Sequence, residues 1–153
     1  MDLILWRHAE AIDLELVGDD MDRTLTPRGH KQAARMADWL DRQLPDGAKF
    51  FASPAARTDQ TARAMGRKFK TSPALAPLSN VDALLELVQW PHAKGCVVVV
   101  GHQPTLGQAI SRLLGLTEPE CAVKKGALWW LRYREREGVG STVVVTVQSP
   151  DLL

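Results

Sequence analysis

The sequence has only two cysteines and no long apolar run. Two cysteines are too few for a disulfide framework, and the surroundings of Cys96 and Cys121 favour two free thiols in a reducing compartment. No segment approaches the roughly 20 apolar residues that span a bilayer. The first residues also lack the basic start and long apolar stretch of a secretory signal. We therefore expect a cytoplasmic protein with no membrane association.

The sequence also has almost no net charge. Nineteen basic and eighteen acidic side chains leave a formal net charge of +1. A domain that binds nucleic acid or an anionic membrane through its overall charge carries a clear excess of lysine and arginine. We therefore expect no nucleic acid partner, and any preference for an anion has to be local.

Several signatures of phosphate and metal chemistry are missing as well. The sequence contains no GxxxxGK[ST] loop, no GxGxxG fingerprint and no GxSxG serine elbow. Neither cysteine is followed by an arginine six residues on, which excludes a cysteine phosphatase. No two of the four histidines have the spacing of a helical or hairpin ligand pair. We expect no metal site and no other cofactor.

Short apolar runs that alternate with helical patterns are present along the whole chain. This alternation is typical of a parallel sheet covered by helices. The length and the 45% hydrophobic content suit a single domain over residues 1–153. Four consecutive valines at 97–100 fit a central strand that is buried on both faces. We predict an α/β fold, a three-layer α/β/α sandwich with a mostly parallel sheet and a C-terminal antiparallel hairpin, ALWWLRY and STVVVTV joined by REREGVG.

Local signals place helices between the strands. Thr26 and Pro27 are typical cap and first-turn residues, and Ser53 and Pro54 repeat this pattern after the run KFFA. A third helix is predicted from about residue 81. A fourth follows GHQP and ends at Gly115.

Unusual polar side chains follow three of the predicted strands. Arg7 and His8 follow LILW, Arg57 lies one helical turn beyond KFFA, and His102 follows CVVVVG. Since ligands of open α/β sheets bind at the carboxyl ends of the strands, we expect these four side chains to converge. Cationic groups held close together repel one another unless an anion lies among them. The predicted ligand is a small, dense anion such as phosphate.

Four segments carry a resemblance to a known family. RHAE, LTPRG, SPAARTDQT and GHQP resemble the motifs of the histidine phosphatase superfamily, in the order and spacing of that family. The short length and the segment DRTLTPRGHKQA are most similar to its SixA-type phosphohistidine phosphatases. The resemblance implies a phosphoglycerate mutase-like fold and a metal-independent phosphatase.

The resemblance also implies catalytic roles. In the family, the histidine that matches His8 attacks phosphorus and becomes a phosphohistidine, which water then hydrolyses. Arg7, Arg57 and a protonated His102 would hold the oxygens of the transferring group. The attack requires a neutral His8 imidazole, so an acceptor must hold its second ring nitrogen.

Five further residues are candidates for substrate binding or proton transfer. Arg23 matches an arginine usual in the SixA-type proteins, and Glu10 and Ser53 lie within the motifs. Larger relatives carry a proton-donating carboxylate between the second and third motifs, where this sequence offers Asp82 and Glu86. An imidazole leaves as a neutral group once its nitrogen is protonated, so phosphohistidine needs less help from an acid than a phosphate ester does.

Three functions follow from these patterns. The first is removal of phosphate from phosphohistidine on a partner protein in signal transduction, with inorganic phosphate as the product. The second is a phosphatase for small phosphate esters that uses Asp82 or Glu86 as the acid, and the third is a phosphate-recognition module without activity. Lys124 and Lys125 are either a solvated pair or part of the pocket rim. No long apolar surface demands a dimer, so we expect a monomer.

Overall fold

One six-stranded sheet forms the centre of the molecule, and the computed structural model describes it together with all other residues of the chain, 1–153. The strands are β1 (Asp2–Arg7), β2 (Lys49–Ala52), β3 (Lys70–Thr71), β4 (Cys96–Gly101), β5 (Leu128–Arg136) and β6 (Val139–Gln148). They lie in the order β3-β2-β4-β1-β5-β6. The first four pair in parallel, whereas β5 is antiparallel to both β1 and β6. The predicted mostly parallel sheet with a C-terminal antiparallel hairpin is confirmed.

Four helices cover the two faces of this sheet. They are α1 (Pro27–Gln43), α2 (Ala56–Arg63), α3 (Val81–Val88) and α4 (Thr105–Leu114). Because side chains alternate along a strand, Ile4 and Trp6 of β1 pack with α1 and α2, while Leu3 and Leu5 pack with α3 and α4. The three-layer α/β/α arrangement is therefore confirmed.

The β4 strand lies between β2 and β1, and all six of its residues are buried. Val98 and Val100 join the core on one face, and Val97 and Val99 join the core on the other. The run of valines thus marks a central strand covered on both sides, as predicted. The ends of the three neighbouring strands are in register, since Arg7 pairs with Gly101 in β1 and β4 and β2 ends beside β4 at the same edge.

The helix boundaries confirm one predicted cap and correct another. Thr26 caps α1, because its Oγ1 atom accepts a hydrogen bond from the backbone N–H of Gly29 at 3.0 Å. The predicted helix start at Ser53 and Pro54 is wrong, since α2 begins at Ala56. The Ser53 hydroxyl is turned toward a histidine side chain and accepts from the amide of Ala55 in a turn, so it does not cap the helix.

The hairpin connection is shorter than predicted. Most of the segment REREGVG extends the two strands, and the turn consists of Glu137 and Gly138 alone. Both residues have positive φ angles, 52° and 77°, which is the backbone of the tight turns that match the twist of a β-hairpin. The two-residue strand β3 was not predicted, because its short, exposed sequence lacks any apolar pattern.

The outer strand β6 is largely exposed. Val143, Val144, Val145 and Val147 remain 39–47% accessible, and no charged residue lies in the strand. Both cysteines are free, as predicted. No helix combines the length and the apolar character that crossing a bilayer requires.

Candidate active site

His8 follows β1 and is held by backbone hydrogen bonds from both sides. Its N–H donates to the carbonyl of Gly101 at 3.2 Å, and its own carbonyl accepts from the N–H of Gly126 at 2.9 Å. The side chain is buried, and its Nδ1 atom lies 2.7 Å from the carbonyl oxygen of Ala9. A carbonyl can only accept, so Nδ1 carries the proton and Nε2 keeps its lone pair.

The surroundings of His8 keep its imidazole neutral. Burial lowers its pKa to about 3, and the charges of Arg57 and Arg7 act in the same direction, while the hydrogen bond to Ala9 opposes them. Burial disfavours the charged form of a histidine because the imidazolium loses its hydration. His8 is thus an unprotonated base near neutral pH, which nucleophilic attack requires.

His102 lies beside His8, and the two ring centroids are 5.4 Å apart. Its Nε2 atom lies 2.8 Å from the hydroxyl oxygen of Ser53, and both side chains are buried. Burial lowers the pKa of His102 to about 3, with Arg57 as the next cause. The ring of His102 is therefore neutral when no anion is bound, and its predicted protonation beside the phosphoryl group stays a prediction.

Arg7 and Arg57 reach the same region from β1 and the first turn of α2. The Nη1 atom of Arg7 donates to the carbonyl of Val123 at 2.8 Å. The Nη1 and Nη2 atoms of Arg57 donate to the backbone carbonyl and the carboxylate of Asp20, at 2.7 and 3.0 Å. Burial lowers the pKa of both arginines, and the charge of Arg57 lowers that of Arg7 further, so the two guanidinium groups are close enough to repel.

Buried polar atoms without a hydrogen-bond partner cluster in this region. The structure contains four such side-chain atoms, of which three are the Nε atoms of Arg7 and Arg57 and the Nδ1 atom of His102. Buried polar atoms in folded proteins nearly always have a partner. The predicted phosphate-binding residues thus have hydrogen-bonding capacity that no protein group uses, as expected of groups that bind a ligand.

Arg23 is connected to this cluster through Asp20, which the sequence did not single out. The Nη1 atom of Arg23 lies 3.2 Å from the carboxylate of Asp20, and its Nε atom donates to the carbonyl of Ile12 at 2.8 Å. The spacing of Asp20 and Arg23 by three residues is the only signal in the sequence, and Asp19 and Asp22 nearby make it ambiguous.

The Glu10 side chain contacts the first residues of α1 and does not lie among the four central residues. Its carboxylate accepts from the Thr26 hydroxyl at 2.9 Å and lies 3.7 Å from the Arg28 guanidinium. Its backbone carbonyl accepts from the N–H of Thr26 at 3.0 Å. A Cβ atom at Gly29 would lie 2.0 Å from that carbonyl oxygen, so the helix approaches Glu10 closely only because residue 29 is glycine.

The two carboxylates proposed as acids lie elsewhere. Asp82 and Glu86 are exposed on α3, and the Asp82 carboxylate is paired with Arg112. Neither side chain contacts the four central residues. Lys124 and Lys125 are exposed on the segment that supplies the partners of Arg7 and His8, which places them near the edge of the site.

Outside this site, the structure has other cavities but no cluster of metal-ligating side chains. A large surface cavity lies between β3 and the end of α2, lined by Phe69 and Arg63 among others, and it contains none of the four central residues. No group of three or more histidine, cysteine, aspartate or glutamate side chains is close enough to hold a metal ion.

A neutral, buried histidine lies among arginines at the carboxyl ends of parallel strands, which combines a nucleophile with groups that bind an anion. A family model described as the histidine phosphatase superfamily (branch 1) matches residues 3–87, more than half of the chain. The chain belongs to this superfamily. It is a phosphatase, and its similarity is to the SixA-type members.

Two curated proteins illustrate this relationship. An uncharacterized protein of Picosynechococcus sp. is 32% identical over 142 residues, which cover 86% of this chain and 85% of the relative. The phosphohistidine phosphatase SixA of Escherichia coli is 28% identical over 128 residues, which cover 78% of each chain.

Solved structures share the fold. The protein histidine phosphatase SixA, solved in complex with tungstate, superposes with a TM-score of 0.83 at 24% identity and covers 99% of both chains. A phosphoserine phosphatase from Entamoeba histolytica, in complex with 3-phosphoglyceric acid, gives a TM-score of 0.72 at 19% identity and covers 97% of this chain and 96% of its own. The predicted fold class is therefore confirmed.

Proposed function

We propose that this protein removes phosphoryl groups from phosphohistidine on a partner protein, through a covalent phosphohistidine formed on His8. The observation that carries this proposal is the hydrogen bond between His8 Nδ1 and the carbonyl of Ala9, at 2.7 Å. It fixes the tautomer in which Nε2 is the free nucleophile. The pKa of about 3 keeps that nitrogen unprotonated over the whole physiological range.

The reaction takes place in two displacements. In the first, the lone pair of His8 Nε2 forms a bond to phosphorus, and the bond from phosphorus to the substrate imidazole breaks with its electron pair on the leaving nitrogen. That nitrogen takes up a proton and departs as a neutral imidazole. In the second, water attacks the phosphorus on His8 and loses a proton to solvent, and the bond from phosphorus to His8 Nε2 breaks with its electron pair on Nε2. This step releases inorganic phosphate and restores the free histidine.

Arg7 and Arg57 stabilise the charge on the transferring group. Both guanidinium groups are anchored to backbone carbonyls, so their donors are positioned before the substrate arrives. Preorganised donors of this kind are often the largest catalytic contribution, and loss of one typically raises the barrier by about 3 to 4 kcal/mol. His102 joins them through its unpartnered Nδ1 atom, with the ring oriented by the contact of Nε2 with Ser53.

The placement of the carboxylates supports phosphohistidine as the substrate. Asp82 is paired with Arg112 on the surface, and Glu86 is exposed on the same helix. A site without a dedicated acid suits a leaving group that needs little protonation, and an imidazole meets this condition better than an alkoxide. The relative from Escherichia coli bears the name of a phosphohistidine phosphatase.

Trapping the phosphoenzyme tests the mechanism. A partner protein labelled with radioactive phosphate on histidine is mixed with the wild-type enzyme and quenched in alkali, in which phosphohistidine is stable. We expect label on His8 in the wild type and neither label nor turnover in His8→Ala. His92→Ala is the matched control, because His92 is exposed and outside the site.

Each other outcome contradicts a defined part of the proposal. Turnover in His8→Ala would show that another group is the nucleophile. A larger kcat/KM for small phosphate esters than for the phosphorylated protein would replace the proposed substrate. Phosphate binding without any turnover in the wild type would leave only a recognition module.

A further inference from the structure

We propose that Asp20 is a positioning residue of this site, whose carboxylate holds Arg57 and Arg23 as a fixed pair of donors for the phosphoryl group. This inference rests on the proposed function, because it assigns the two arginines to the same substrate group. Asp20 itself does not have to touch the substrate. Its effect on the reaction passes through the two guanidinium groups.

The contacts of Asp20 bridge the two arginines. One carboxylate oxygen, Oδ2, lies 3.0 Å from Nη2 of Arg57, and the other, Oδ1, lies 3.2 Å from Nη1 of Arg23. The backbone carbonyl of Asp20 accepts a further hydrogen bond from Nη1 of Arg57 at 2.7 Å. A single residue therefore fixes the guanidinium plane of Arg57 and the position of Arg23 relative to it.

Burial makes this bridge necessary for Arg57. The Arg57 side chain is only 5% exposed, and Asp20 is the only carboxylate that hydrogen-bonds to it. A buried charge without a partner is strongly unfavourable. Partial burial of Asp20 would raise the pKa of its carboxyl, but the hydrogen bonds from Arg57 and Arg23 outweigh this effect and lower it. Asp20 is therefore an ionised partner near neutral pH and not a proton donor.

The bridge leaves both arginines with donors for a ligand. A guanidinium group has five N–H donors. Asp20 binds one hydrogen on each Nη atom of Arg57, and the Nε atom of Arg57 has no partner at all. Arg23 uses Nε and Nη1 and keeps Nη2. The carboxylate thus orders the two groups without occupying all of their donors.

The charge of the site fits its proposed ligand. The three guanidinium groups of Arg7, Arg23 and Arg57 and the carboxylate of Asp20 sum to two positive charges, and the Glu120 carboxylate, whose charge raises the pKa of Arg7, reduces this sum on the Arg7 side. A phosphoryl group carries about two negative charges at neutral pH. Asp20 therefore reduces the repulsion between Arg23 and Arg57, while the site keeps a net positive charge for the substrate.

The local backbone presents Asp20 in a defined way. Residues 20–22 form a short 3-10 turn, and the Asp19 side chain caps it by accepting from the N–H of Met21 at 2.9 Å. The Asp20 side chain is 41% exposed. Asp20→Asn should therefore fold, and it keeps the size of the side chain while removing its charge.

Binding of inorganic phosphate to the wild-type and Asp20→Asn proteins distinguishes a positioning role of Asp20 from a purely electrostatic one. Removal of a negative charge from the site favours anion binding by Coulomb's law, so an Asp20 that merely repels anions would give tighter binding in Asp20→Asn. A positioning Asp20 gives the opposite result, because the two arginines lose their common alignment. We expect the dissociation constant for phosphate, measured by calorimetry, to rise at least about fivefold, an estimate from the loss of one charge-assisted hydrogen bond.

Steady-state kinetics on the phosphorylated partner protein supply the second measurement. We expect kcat of Asp20→Asn to fall at least about tenfold, since a small misplacement of catalytic donors has effects of this size. Asp22→Asn is the matched control, because Asp22 lies exposed in the same turn and its carboxylate forms no salt bridge with an arginine. A cooperative thermal unfolding transition shows that each variant is folded, and the midpoint of Asp20→Asn is expected to be the lower of the two because Arg57 loses its charged partner.

A double-mutant cycle with Arg23→Gln completes the test. If Asp20 acts through Arg23, the double variant loses less activity than the product of the two single losses. Tighter phosphate binding with unchanged kcat in Asp20→Asn would overturn the proposal, as would strict additivity. Failure of the wild type to hydrolyse phosphohistidine would overturn the proposed function instead, while weaker phosphate binding in Asp20→Asn would still support the bridging role.

Discussion

The Nε2 atom of His102 lies 2.8 Å from the Oγ atom of Ser53, and this hydrogen bond joins the end of β2 to the end of β4 across the site. Ser53 is fully buried, and its hydroxyl also accepts from the N–H of Ala55 at 3.3 Å. The imidazole of His102 therefore has one orientation relative to His8. Ser53 serves the site by fixing that ring, whereas its sequence pattern predicted a helix cap.

Ser53→Ala is expected to lower kcat/KM about tenfold, because a buried hydrogen bond to the His102 ring is lost at a cost of about 1 to 3 kcal/mol. Steady-state kinetics on the phosphorylated partner protein measure the effect. Ser111→Ala is the matched control, since the Ser111 hydroxyl is buried and has no hydrogen-bond partner. Equal activities of the two variants would show that His102 needs no support from Ser53.

The free energy of unfolding is expected to decrease as the pH falls below about 6.5. His8 and His102 have a pKa of about 3 in the folded protein and the ordinary value of 6.5 when unfolded. Between these values the unfolded chain binds protons that the folded protein does not, so stability is full above pH 6.5 and is lost on acidification. The slope reaches about 1.4 kcal/mol per pH unit for each histidine.

Urea unfolding measured from about pH 6 to pH 4.5 tests this linkage, since the range lies above the ordinary aspartate pKa of 3.8. His8→Asn removes one of the two groups and is expected to reduce the slope by half. A stability that does not change over this range would mean that both histidines are solvated in the folded protein.

Gly29→Ala is expected to destabilise the protein by about 1 to 3 kcal/mol, the usual cost of inserting a methyl group where there is no space. Its Cβ would lie 2.0 Å from the carbonyl oxygen of Glu10, a backbone atom that cannot move away alone. Lys31→Ala, an exposed change in the same helix, is the control and should leave stability unchanged. Chemical denaturation of both variants decides whether α1 tolerates the contact.

Asp82→Ala and Glu86→Gln are expected to leave hydrolysis of the phosphorylated partner protein within about twofold of wild type, because exposed substitutions away from the site have effects below about 0.5 kcal/mol. Parallel assays with a small phosphate ester show whether either carboxylate acts as an acid for that substrate. A loss confined to the ester would support the alternative function.

The fold could be predicted because its signals are local and strong. The alternation of apolar runs and helices, the valines of β4 and the Thr26 cap each act within a few residues, and all three are confirmed. The start of α2 was misplaced because the Ser53 hydroxyl binds His102, which is 49 residues away in the sequence. The short strand β3 carries too little pattern to be recognised.

The sequence was sufficient to predict the central residues of the site. It was not sufficient to predict which histidines are protonated or which residues orient them. Arg7 ends β1, and His8 and His102 directly follow β1 and β4, whose ends are in register. Arg57 stands in the first turn of α2. The neutral state of His102 depends on burial, which a sequence pattern does not show. The residue roles, the single domain, the monomeric state and the cytoplasmic location stay predictions.

The backbone of His8 is bonded on one side to the end of β4 and on the other to the segment that leads into β5. The backbone hydrogen bonds of His8 can therefore break only if the strands of the central sheet separate. Amide hydrogens around His8 should exchange with deuterated solvent only during global unfolding, whereas those of residues 13–18, which carry exposed Leu14 and Leu16, should exchange within the native state. The sheet thus holds the proposed nucleophile His8 rigidly, whereas residues 13–18 can open locally without disturbing it.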